Sequence, residues 1–122
     1  MSYDTKLALR AASAGSMTAS EQSATFVDYG GPDRLPVTYL IHVPKASGTS
    51  PKLDVKIQES TDGTNPLGDE MVAKQITAAG DYYVTFRSNN RYRRMYTTVA
   101  GTGADFGAVI IAPVPAGIGF SY

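Results

Sequence analysis

Within the segment 53–60 apolar and polar residues alternate, with Leu53, Val55 and Ile57 on one side and Asp54, Lys56 and Gln58 on the other. A period of two residues sends successive side chains to opposite faces of an extended chain. This segment therefore predicts a β-strand with one wet face. Residues 37–43 predict another, an apolar run confined by Pro36 and Pro44. From 82 onward the pattern reads as three strands in succession, 82–87, 91–99 and 106–112. Ser88, Asn89 and Asn90 fill the first gap and residues 100–104 the second. Aromatic and β-branched residues occupy the runs and turn formers the gaps, which predicts an antiparallel meander. Shorter strands are predicted at 24–29, ended by Gly30, Gly31 and Pro32, and at 71–77. Loops are predicted at 46–51 and at 61–66, the latter tightest at Asp62 and Gly63. Residues 78–81 turn into the meander, and 116–122 supply a last short strand or a tail.

Roughly seven to nine short strands, with turn signals every eight to twelve residues or so, predict an all-β fold, an antiparallel β-sandwich. The chain contains neither Cys nor Trp. The marks of an immunoglobulin domain are thus missing, which favours a jelly roll of about eight strands. Residues 1–23 are rich in Ala, Ser and Thr, and the weak helical face of Leu7, Ala8, Ala11 and Ala12 is interrupted at 13–16. The expected organisation is an extended N-terminal arm over 1–23, either ordered by contact with something else or a frayed terminus, and one domain over 24–122. A chain of 122 residues suits a single core.

Composition narrows the function classes. Twelve Gly and seven Pro favour turns over long helices. Eleven basic residues balance eleven acidic ones, so no global field draws the chain to nucleic acid or an anionic membrane. Weak self-repulsion suits a protein that packs against its own copies. Absence of cysteine removes disulfides and thiolate metal sites and favours synthesis in a reducing cytoplasm. No run approaches the roughly eighteen apolar residues of a spanning helix, and no export signal is recognisable, so a soluble chain is expected.

Candidate chemistry is thin. His42 is the sole histidine and sits inside a predicted strand. A Ser-His-Asp arrangement would need it beside Asp28 or Asp33 and a serine; a structural role is the expectation, and with it no enzyme and no catalytic residue. Gly101, Thr102 and Gly103 lack the following helix and lysine of a phosphate loop. Asp62, Asn65, Asp69 and Glu70 offer oxygen ligands, but their spacing fits no calcium loop and Pro66 breaks it, so a solvated acidic loop is expected, with no metal and no cofactor.

The segment 91–96 carries the most information about function. Alternation puts Tyr92, Arg94 and Tyr96 on one face and Arg91, Arg93 and Met95 on the other. Each face holds an arginine, so one of them points inward or into a contact, where it needs a carboxylate or several carbonyl partners. Tyr and Arg are also the residues that anchor interfaces. Three readings compete: protein–protein contact, stacking and phosphate contact with single-stranded nucleic acid, and a merely solvated strand. Balanced charge argues against nucleic acid. The candidate contact residues are Arg91, Tyr92, Arg93, Arg94 and Tyr96, together with Tyr82 and Tyr83.

The order of features resembles the small jelly-roll cement, or decoration, proteins of tailed-bacteriophage capsids. An amino-terminal arm leads to a short strand with an aspartate and a glycine, here Val27, Asp28, Tyr29 and Gly30. A strand of the form Leu-x-Val-x-Ile-x-x-Ser then runs into an Asp-containing loop, here 53–62. Near the end stands Arg-Tyr-x-Arg-hydrophobic-x-x-x-Val-x-Gly-Thr, here 91–102, then a glycine and an apolar strand at 107–112. The resemblance spans 24–114 and is most distinctive at 91–102. It implies a homotrimer on the outer surface of the virion, made in the host cytoplasm and seated on the major capsid protein at junctions between capsomers. There it would reinforce a shell expanded by DNA. Three-fold closure needs a heterologous interface, for which the arginine–tyrosine strand or the arm would serve. A second expectation, from another class, is a jelly-roll module for glycans or host attachment, with Tyr82, Tyr83 and Tyr92 stacking on sugar rings.

Overall fold

The structure is a computed structural model that describes residues 8–22, 26–28, 37–86 and 92–114. Among the described residues there are eight strands: β1 (Glu21–Gln22), β2 (Val27–Asp28), β3 (Val37–Val43), β4 (Ser47–Ser60), β5 (Pro66–Ile76), β6 (Gly80–Phe86), β7 (Tyr92–Asp105) and β8 (Ile110–Pro113). Two antiparallel sheets pack together as a β-sandwich. In the larger, the order is β1, β7, β4, β5, and β2 joins β1 on the same edge of β7; in the smaller it is β6, β3, β8.

The core lies where the two inner faces meet. Leu53, Val55 and Ile57 of β4 point inward, as their alternation predicts, and meet Tyr39, Ile41 and Val43 of β3. Met95 of β7 and Ile111 of β8 complete the layer. β3 and β8 are rich in apolar residues on both faces: Leu40, Ile110 and Ala112, on the side away from the core, are buried as well.

The expected meander does not form. β6 pairs with β3 in the small sheet, β7 pairs with β4 in the large sheet, and β8 returns to β3. Alternation specifies which face of a strand is wet, but it carries no information about the partner strand. The chain changes sheets between β7 and β8 at a corner where Phe106 is buried and the Asp105 carboxylate accepts the Gly107 N–H at 2.8 Å. Lys45 pairs with the other oxygen of Asp105 at 2.9 Å, and this contact, with the Gly107 bond, holds the Asp105 pKa below the ordinary aspartate value.

Two segments expected as loop and turn are strand. The first half of β4 (47–52) pairs with the last part of β7 (100–105), and this two-stranded ribbon runs beyond the rest of the large sheet. Glycine makes it possible. Gly101 has φ +106, and a Cβ there would lie 2.7 Å from the Ser50 carbonyl oxygen and 2.9 Å from the Pro51 Cα. Residues read from sequence as turn formers serve here to bring two backbones close and to bulge the register. The strand expected at 24–29 is described at Val27–Asp28, and that at 106–112 begins only at Ile110.

Over 8–22 the segment expected to be an arm lies in the sandwich. Leu9 and Met17 are core residues. Arg10 is 4% exposed and fully engaged: Nε and Nη2 donate to the two Glu21 carboxylate oxygens at 2.9 and 3.0 Å, Nη1 to the Val109 carbonyl at 2.8 Å, and Nη2 to the Gly15 carbonyl at 2.9 Å. Its backbone bridges Ile111 on the edge of the small sheet, while Glu21 sits on the edge of the large one. One buried guanidinium therefore ties the two sheets along that flank.

Candidate functional site

β7 lies inside the large sheet, between β4 and the β1–β2 edge, so its side chains stand on a rigid platform. The alternation expected for its first half is observed. Arg93, Met95 and Thr97 are buried and point inward, while Tyr92, Arg94 and Tyr96 are half-buried and point outward.

Arg93 is the inward arginine. It is 2% exposed, and its Nη1 donates to the hydroxyl of Tyr39, a residue of the opposite sheet, at 3.0 Å. Glu59 stands directly opposite it on β4 and is buried too. This side chain belongs to the interior, where it joins the sheets, and is not on the presented surface.

The outward row is built from its neighbours. Arg94 donates from Nε to Gln58 Oε1 at 2.6 Å, and its guanidinium lies over the Phe26 ring at 4.5 Å from the centroid. Such a stack gives a planar cation a fixed orientation. Gln58 is buried although it faces outward, and its Oε1 also accepts from Gln22 Nε2 at 3.4 Å. Lys56 Nζ lies 5.4 Å from the Tyr96 ring centroid and 3.4 Å from Thr98 Oγ1. The Tyr92 ring rests against Gly63, where a Cβ would come within 3.1 Å. That loop is held by Asp62, whose carboxylate accepts the N–H groups of Asn65 and Thr64 at 2.8 and 2.9 Å, the Asn65 amide at 3.0 Å and the Ser60 hydroxyl at 2.9 Å. These donors, the Asn65 backbone first, stabilise the charged form and hold Asp62 far below the ordinary aspartate pKa.

The seven residues expected as a contact surface do not form one patch. Tyr92, Arg94 and Tyr96 share the outer face of the large sheet. Tyr82, on β6, packs against the core, with its hydroxyl donating to the Ala78 carbonyl at 2.7 Å and Lys74 Nζ 5.8 Å from its ring centroid. Tyr83 is 51% exposed on the outer face of the small sheet, on the other side of the sandwich. Arg91 lies outside the described residues. Gln58, Lys56 and Phe26 were missed by sequence reasoning. The register Lys56↔Tyr96 and Gln58↔Arg94 would have found the first two, since directly opposed residues share a face.

Asp33 and the side chain of Asp28 lie outside the described residues, so the expectation is read at His42 alone. Its Nδ1 lies 2.5 Å from Oδ1 of Asp81, its cross-strand partner on β6, and both side chains are about a third exposed on an open sheet face. Asp69 and Glu70, expected beside Asp62, have side chains outside the described residues. Among the described residues no three His, Cys, Asp or Glu side chains are grouped to hold a metal ion.

The arrangement presents planar groups, two phenol rings and one guanidinium, with a carboxamide and an ammonium beside them. They can stack, donate and accept hydrogen bonds. No protein-family model matches the chain, and no curated protein matches it.

Proposed function

We propose that this chain is a structural virion protein, a capsid cement of the jelly-roll class. In this reading it binds the major capsid protein on the outer surface of a phage head as a homotrimer and stabilises the expanded shell at junctions between capsomers. The observation that carries the reading is the outward row of Tyr92, Arg94 and Tyr96 on an interior strand of the large sheet. Interfaces are anchored by Tyr and Arg on surfaces already ordered before contact, because little rotamer entropy is then lost on binding. The division of the candidate residues supports it as well. A three-fold ring needs two different patches on each copy, and Tyr83 stands on the opposite side of the sandwich from the arginine–tyrosine row. Many copies, each with modest contacts, would hold a shell by avidity.

The test is a triple variant, Tyr92→Ala, Arg94→Ala and Tyr96→Ala, beside the unaltered chain. The unaltered protein is expected to sediment as a trimer and to co-sediment with expanded capsids. The variant is expected to keep its β-sheet circular dichroism and to lose capsid binding. Monomeric behaviour at high concentration, with no attachment to capsids, would defeat the reading.

A further inference from the structure

Residues 8–17 cover one flank of the sandwich as a strap with two anchors. At the first, the Leu9 and Arg10 N–H groups donate to the Ile111 carbonyl at 2.7 and 3.0 Å, and the Ile111 N–H returns to the Arg10 carbonyl at 3.0 Å. At the second, the Met17 N–H donates to the Gly107 carbonyl at 2.8 Å and the Phe106 N–H to the Met17 carbonyl at 3.0 Å. Leu9 and Met17 enter the core, while residues 11–16 between them are exposed. Thr18, Ala19 and Ser20, also exposed, lead on to β1.

We infer that this strap is exchangeable, so that the flank formed by β8 and the β7–β8 corner takes residues 8–17 from a second copy of the chain. The strap sits at an edge, and lifting it leaves every pairing among β1 to β8 in place. Lifting it also uncovers the backbone of Ile111 at the edge of β8 and the core beside Phe106 and Val109. An uncovered edge next to apolar surface recruits another strand. The segment best matched to it is an identical strap, which repeats every contact, so the choice between own chain and neighbour depends on local concentration and on the reach of the link at 18–20. Arg10 adds selectivity. Its carboxylate partner, Glu21, lies beyond that link on β1, so in the exchanged form the ion pair joins two copies. This inference rests on the strap's own contacts and stands whether or not the chain binds a capsid.

The chain has no cysteine, so two introduced thiols can be labelled without interference. Ala12→Cys on the strap and Thr102→Cys on the ribbon, both at exposed positions, would carry a donor and an acceptor dye in the full chain. The labelled protein is mixed with a large excess of unlabelled chain at high concentration, warmed to the foot of its unfolding transition, cooled and separated by size. The expected result is an oligomeric fraction that has lost the intrachain energy transfer shown by the sample before warming. Ala14→Cys with Thr49→Cys gives a second, independent pair should the first perturb folding. Recovery of monomer alone, or oligomers with undiminished transfer, would overturn the inference.

Discussion

Two buried arginines do different work, and each implies a measurement. Arg93 reaches across the interior to a hydroxyl, so Tyr39→Phe removes one of its acceptors without changing the ring's volume. The expected cost is about 1–3 kcal/mol, the usual penalty for depriving a buried polar group of a partner, read as a lower urea midpoint at unchanged slope. Arg10→Ala leaves Glu21 and two carbonyls without their donor. Breaking a buried ion pair costs roughly 3–5 kcal/mol, and the lower end is expected because Glu21 keeps a third of its surface in water. Asp62 gives a pH dependence. Its pKa in the folded chain is depressed below the ordinary value of 3.8, so its contribution is complete above that value and fades as pH falls towards the folded-state pKa. The stability gap between the native chain and Asp62→Asn should therefore be constant near neutrality and close in acid; a gap unchanged down to pH about 2 would contradict the assignment. At this scale the placement of Arg93 on the face opposite Arg94 was legible from alternation alone, though not which of the two faces is the inner one. Its partner was not, because Tyr39 belongs to the other sheet.

At the level of elements, the β4–β7 ribbon depends on backbone contact. Gly101→Ala puts a methyl group against Ser50 and Pro51 at a left-handed φ, and the expected outcome is loss of the ribbon ahead of the sheet. Hydrogen exchange should rise at 47–52 and 100–105 while 53–57 stays protected. The ribbon also explains why two loops were expected where strands exist. Gly, Ser, Thr and Pro punctuate turns, and the same residues permit close, bulged pairing; only the partner strand decides between them. β3 and the apolar half of β4 were plain in the sequence because their patterns match one face or two faces of burial. The assignment of β6, β7 and β8 to alternating sheets depends on long-range pairing, which a local pattern does not encode.

For the whole molecule, residues 8–22 belong to the body of the sandwich. Deleting residues 1–22 removes Leu9, Arg10 and Met17 from the core together. A sharp fall in melting temperature, accompanied by self-association, is the expected result of a thermal scan with light scattering. A truncated chain melting with the intact one would show the sandwich to be complete without them. The sequence disguised this segment because its two core anchors are separated by six exposed residues, 11–16, and so carry no periodic signal.

β7 touches β1, β2 and β4, which makes it the hub of the larger sheet, yet it comes late in the chain. During translation β4 leaves the ribosome long before the strand that will flank it, with β5 as its only large-sheet neighbour in the interval. A nascent chain halted after β6 should thus be readily cut by protease, and one extended past β8 should resist. Folding of the sandwich is set to occur nearly at once, when β7 and β8 emerge.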